Sequence, residues 1–194
     1  MVAALLVALL TDSCNQGSTY DIRKCWSAKD EAASVKLHST YVKVEARLRS
    51  LGIEPGLLAA AESAFSAARD KTCAFEYAQY LPGTIAPQLE IECDDRMTVA
   101  QAHRLAAVLA VLKSGALPTE RPASPATDAE LHRVYQLYLE HVTSAQRPAL
   151  IGAERAWRTY RDKWCAFEGG TCLTASERDR VNELEASWLG EPFW

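Results

Sequence analysis

The residues of this chain best suited to chemistry are its six cysteines, Cys14, Cys25, Cys73, Cys93, Cys165 and Cys172. Thiolates that hold zinc come in close Cys-x-x-Cys pairs, and redox-active thiols use that spacing or a lone activated residue. No pair here has that spacing. An even number of cysteines instead favours structural disulfides, which require an oxidising compartment. His38 and His132 each follow a leucine, and neither shares a metal-ligand spacing with a second histidine or a carboxylate. Both are expected as polar residues on a helix flank. Gly-x-Ser-x-Gly, a phosphate-cradling glycine-rich loop and His-Glu-x-x-His do not occur, so hydrolase, nucleotide-binding and zinc-protease chemistry have no carrier. Carboxylates are plentiful in a chain that is 24% charged, and without a concave site they do not indicate acid–base catalysis. The expectation is a non-enzymatic protein without metal or cofactor.

The elements that position these cysteines are written twice. Glu62 to Glu76 reads ESAFSAARDKTCAFE and Glu154 to Glu168 reads ERAWRTYRDKWCAFE, with nine of fifteen positions identical. Upstream, Val35 to Tyr41 (VKLHSTY) faces Ala129 to Tyr135 (AELHRVY) at a slightly different offset. A period this long marks a duplicated domain, not a short solenoid repeat. Cys73 and Cys165 occupy the same place in the two copies, and each is followed by a later cysteine, Cys93 or Cys172. Many connectivities are open to six cysteines. Requiring each copy to close its own loop selects Cys73 with Cys93, Cys165 with Cys172, and Cys14 with Cys25.

The apolar spacing is helical throughout, without sustained strict alternation. Leu37, Tyr41, Val44, Leu48 and Leu51 form one stripe, which Gly52 ends, after a start capped by Ser18 or Thr19. Pro55 opens the next helix, whose inward stripe is Leu58, Ala61, Phe65, Ala68 and Thr72. Its counterpart after Pro148 is Leu150, Ala153, Trp157, Tyr160 and Trp164. The stretch Leu81 to Pro87 breaks the pattern and is expected to be a loop, with Thr98-Val-Ala-Gln101 as a capping box for a helix through Leu105, Leu109 and Leu112. In the second copy, Thr127-Asp-Ala-Glu130 would cap a helix with Leu131, Tyr135, Tyr138 and Val142 inward, and Thr174-Ala-Ser-Glu177 one with Val181, Leu184 and Trp188 inward. The predicted fold class is all-α: two tandem disulfide-stabilised three-helix units. The expected division is a leader over 1–13, copy one over 14–113, a proline-rich linker over 114–127 and copy two over 128–194.

At 194 residues and 21.3 kDa, two such units are each small enough to depend on added cross-links. The net charge of −4 and pI near 5.6 disfavour nucleic acid or an anionic membrane, because no basic stripe exists to neutralise phosphates. A basic protein partner suits the charge. Met1 to Leu10 is an apolar run too short to span a bilayer. It reads as the apolar region of a signal peptide that lacks a positive start, with a buried first helix as the alternative. The residues before Cys14 resemble a lipoprotein processing site only loosely, Asp12 being poorly suited, so a membrane enters only if Cys14 is lipidated.

Arg-Asp-Lys is intact in both copies, at Arg69 to Lys71 and Arg161 to Lys163. Its helical position on the flank of the apolar stripe suits interhelical pairing, and the alternative is a charged contact surface. Trp157-x-x-Tyr160-Arg161-Asp162-x-x-Cys165, followed by a second cysteine, resembles the bacterial secreted domain family named after the lysozyme inhibitor LprI. The first copy resembles it from Cys14 and Cys25 through Leu37-x-x-x-Tyr41 and Ala68-Arg69-Asp70-x-x-Cys73 to Cys93, with Phe65 and Ala68 where the family pattern has Trp and Tyr. Both copies carry histidine, His38 and His132, where an asparagine usually follows the leucine. The second lacks the early cysteine pair. The resemblance implies a periplasmic or secreted, disulfide-stabilised helical protein that binds and inhibits a lysozyme.

Two functions follow. One is inhibition of a muramidase; animal lysozymes are basic, so an acidic inhibitor gains electrostatic steering. The other is an envelope interaction or scaffolding module with no lysozyme activity. The candidate partner-binding residues are Tyr77, Tyr80, Glu90, Glu92, Asp94 and Asp95, expected on a long loop constrained by the Cys73–Cys93 bridge. Phe65, Arg69, Asp70, Trp157, Tyr160, Arg161 and Asp162 are expected to be structural.

Overall fold

The computed structural model describes Cys14 and residues 16–114, 125–169 and 172–189. Among these there are six α-helices and no strand: α1 Thr19–Ser50, α2 Gly56–Gln79, α3 Ala86–Ser114, α4 Pro125–His141, α5 Arg147–Glu168 and α6 Cys172–Leu189. The expected leader and most of the expected linker lie outside the described residues, as does the side chain of Trp188.

Local sequence sets most of the boundaries. Ser18 caps α1 in a reciprocal box with Asp21, whose carboxylate accepts from the Ser18 backbone N–H at 3.1 Å. Gly52, with a φ of 74°, occupies the left-handed region that ends the helix at little steric cost. Leu51, expected inward, is exposed because it stands at this cap, and Ile53 packs on the core instead. Helix α4 begins at Pro125, ahead of the expected cap at Thr127.

Two boundaries differ more. Helix α3 starts at Ala86, not at Thr98, and α6 at Cys172, not at the Thr174-to-Glu177 cap. Pro87 sits in the first turn of α3, where its missing N–H has no helical partner to lose. The capping-box pattern misleads in both copies for one reason. Thr98 and Gln101 in the first copy and Glu177 in the second are buried helical residues whose polar groups make tertiary contacts with Arg69, Tyr160 and Arg161.

The three disulfides join Cys14 to Cys25, Cys73 to Cys93 and Cys165 to Cys172. In a chain-entropy description each stabilises by about 2 to 4 kcal/mol, more for the longer loop closed by Cys73 and Cys93. Two of the bridges clamp a motif helix to the next helix, α2 to the second turn of α3 through Cys93 and α5 to the first residue of α6 through Cys172.

Both predicted inward stripes are buried in full: Leu58, Ala61, Phe65, Ala68 and Thr72 on α2, and Leu150, Ala153, Trp157, Tyr160 and Trp164 on α5. What they face is each other. Helices α2 and α5 pack closely along their length. Phe65 meets Tyr160 edge-on at 5.6 Å, while Gln146 at the start of α5 donates to the carbonyls of Ala78 and Gln79 at the end of α2. The two helices are therefore antiparallel. Tyr160 and Trp164 join a core cluster built mainly from α1, α2 and α3. Phe75 of α2 joins the cluster of α4, α5 and α6, edge-on to Tyr138 at 6.2 Å. In the first copy, Arg47 donates to the Leu112 carbonyl at 3.1 and 3.2 Å, which brings the C-terminal ends of α1 and α3 together.

Because Trp157 is buried in the second cluster and Phe65 in the first, Trp157→Ala should lower unfolding stability by roughly 3 to 5 kcal/mol, with Phe65→Ala similar, as expected for large aromatics whose cavities cannot collapse. Urea denaturation followed by circular dichroism measures this. A loss below about 1 kcal/mol for both would show that the inter-copy core is not what these rings build.

Candidate functional site

The motif arginines anchor each copy in the same way. Arg69 donates to the Thr98 hydroxyl at 3.4 Å and Arg161 to the Glu177 carboxylate at 3.3 Å. Thr98 and Glu177 hold equivalent positions downstream of Cys93 and Cys172. The glutamate that opens each repeat makes a second matched contact. Gln101 donates to Glu62, and Arg180 donates to Glu154 at 3.3 Å. Burial pushes the Glu62 carboxyl above its ordinary range. Asp70 and Asp162 pair with their neighbouring arginines and reach solvent. His38 and His132 lie exposed on their helices. Among the described residues no group of three or more His, Cys, Asp or Glu is placed to hold a metal.

The candidate partner-binding residues do not share a long loop. Tyr77 is in the last turns of α2, and Tyr80 ends it. The chain then turns through 81–85, and Glu90, Glu92, Asp94 and Asp95 stand on α3 itself. The loop expectation fails because α3 begins so early. The acids are thereby on a rigid helix that the Cys73–Cys93 bridge fixes to α2.

Of these acids, Asp94 meets Arg69 of α2. It is half-buried and 3.5 Å from the Arg69 guanidinium. Burial raises its pKa to about 6; Arg69 opposes the shift, and Asp30, Asp70 and Glu90 add to it. Helices α1, α2 and α3 thus each contribute an acid around Arg69. Asp30 itself is raised by burial, and its Oδ1 makes no hydrogen bond among the described residues. On the turn that precedes α3, Leu81 and Ile85 are about half exposed.

A concave region elsewhere was not legible in the sequence. Between α3 and α6, over the α2–α5 contact, lies a cleft of about 290 Å³ whose lining includes Phe65, Met97, Arg104, Tyr160, Asp179 and Arg180. Tyr160 donates to the Gln101 side-chain oxygen at 2.5 Å and accepts from Arg104 at 2.8 Å. Burial pushes its phenol up to about 12. Arg180 is buried between Glu154 and Glu183. Only the packing of the two copies brings these residues together.

The family model described as lysozyme inhibitor LprI matches residues 11–105 and 122–184, one segment in each copy. No curated protein and no solved structure gives a match.

The raised Asp94 carboxyl sets a pH dependence. It binds its proton more tightly folded than unfolded, so its contribution to stability is greatest below the ordinary pKa of 3.8 and is lost as pH rises to about 6. Asp94→Asn should therefore melt above the wild type at pH 7 and level with it at pH 4. An equal difference at both values would show that burial of the ionised carboxylate is not the cause.

Proposed function

The chain belongs to the lysozyme inhibitor LprI family, and on that premise we propose that it is an extracytoplasmic, non-enzymatic inhibitor that binds a muramidase through the acidic face of its first copy. The observation that carries this is the convergence of Asp30, Asp70 and Asp94 from three helices around Arg69, with Glu90 acting on Asp94, on a helix that follows a turn with two half-exposed apolar residues. A basic lysozyme would be drawn to such a face. Leu81 and Ile85 would supply apolar contact at the centre of the interface, where burial adds most to affinity. The Cys73–Cys93 bridge holds turn and acids in one arrangement, which reduces the entropy lost on binding.

Location follows the same logic. Three disulfides suit an oxidising compartment outside the cytoplasm, and no described helix is long and apolar enough to cross a membrane. The proposed division of labour puts partner binding in copy one, residues 14–113. Copy two, residues 128–194, would act as the support that completes its core.

Inhibition is measured by the clearing of a bacterial suspension by a basic lysozyme at low salt, and association by surface plasmon resonance. Glu90→Gln, Glu92→Gln and Asp95→Asn together, with Asp94 kept for its contact with Arg69, should slow association on the order of tenfold and flatten its salt dependence. Leu81→Ser with Ile85→Ser should mainly speed dissociation. If the wild-type protein leaves lysozyme activity unchanged at micromolar concentration, inhibition fails and an envelope scaffolding role takes its place.

A further inference from the structure

The cleft between α3 and α6 has a polarity opposite to that of the chain. Four arginines, Arg96, Arg104, Arg161 and Arg180, line it against two acids, Asp179 and Glu183, in a protein of net charge −4. Three of these guanidiniums are committed to sheltered carboxylates. Glu76, Glu154 and Glu177, which hold Arg96, Arg180 and Arg161, have side chains only 18%, 4% and 5% exposed.

Arg104 differs. Its acid partner is Asp179, 3.3 Å away with a side chain 64% exposed. It also donates to the neutral Tyr160 hydroxyl at 2.8 Å. The guanidinium lies over the Tyr160 and Trp164 rings, at 5.9 and 5.5 Å from their centroids, so its orientation is set in advance. A planar, oriented fork whose acid is a loosely held surface residue is suited to exchange that acid for an incoming carboxylate. Asp179 occupies the position such a ligand would take.

The rest of the cleft defines the ligand's body. Phe65, Met97 and Ala100 supply an apolar wall. A volume of about 290 Å³ is at the small end for a ligand pocket and suits a molecule the size of one or two amino-acid residues. We propose that this cleft is a binding site for the free C-terminal carboxylate of a short peptide with small apolar side chains, with Arg104 as the anchor and Asp179 as the internal competitor the ligand displaces. The site does not share the acidic face of the first copy, and its occupancy is measured without lysozyme, so the two proposals stand or fall separately.

The test is calorimetric titration of the full chain, at low salt and pH 7, with N-acetyl-alanyl-alanine, its C-terminal amide and inorganic sulfate. The acid should bind saturably with a Kd on the order of 1 mM or tighter, and the amide should not. Arg104→Gln should weaken binding at least about tenfold, as expected for loss of a charge-assisted pair. Asp179→Asn should do the opposite and tighten it about twofold to fivefold, the range an exposed ion pair implies. That gain would not arise from a structural role for Arg104, and it remains readable if Arg104→Gln proves unstable. Equal binding of acid and amide, sulfate binding as tightly as the peptide acid, no saturable binding of the acid, or no gain with Asp179→Asn would each overturn the proposal.

Discussion

The antiparallel contact between α2 and α5 is the constraint on which the rest of this structure depends. A three-helix unit of this size buries too little apolar surface to be independently secure. Here neither copy has to. Tyr160 and Trp164 of the second copy sit among Val44, Leu58 and Leu105 of the first, and Phe75 of the first sits among Leu131, Leu150 and Trp157 of the second. The same helix that carries the repeated motif therefore carries the interface between repeats. Each copy completes the other's core.

The polar motif serves that packing. Arginine and glutamate recur at the same places in α2 and α5, and each reaches across to the third helix of its own copy: Arg69 to Thr98, Arg161 to Glu177, Gln101 to Glu62 and Arg180 to Glu154. Buried polar groups are costly unless paired, so these reciprocal contacts select one register of α3 against α2 and of α6 against α5. The Cys73–Cys93 and Cys165–Cys172 bridges pin the near ends of the same helix pairs. With both pairs fixed and crossed at α2 and α5, α3 and α6 face each other across a gap that becomes the arginine-lined cleft.

The two copies have diverged around this shared scaffold. Where the second copy has Tyr160 and Trp164, the first has Ala68 and Thr72; the small residues leave room for the partner's rings in a common cluster. The acidic face belongs to the first copy, where Asp30 on α1 and Asp94 on an early-starting α3 converge on Arg69 and Glu90 acts on Asp94. Burial raises the free energy of the ionised state of Asp30 and Asp94. An approaching cation would relieve that cost.

By itself the sequence determined the helical class, the duplication, all three disulfide pairings and the inward stripes of both motif helices. Each of these rests on a local period or an internal symmetry that needs no partner to be visible. It also carried the family, through the Trp-x-x-Tyr-Arg-Asp-x-x-Cys string. What only the tertiary structure decided were the starts of α3 and α6, the position of the acids on a helix, and the cleft. Thr98-Val-Ala-Gln101 has the spelling of a helix cap, yet Thr98 and Gln101 are buried, their polar groups satisfied by Arg69, Glu62 and Tyr160. A capping box and a pair of inward-facing polar anchors are the same residues at the same spacing. The hydrogen-bond partners that distinguish them lie tens of residues away, and chain folding alone brings them into reach.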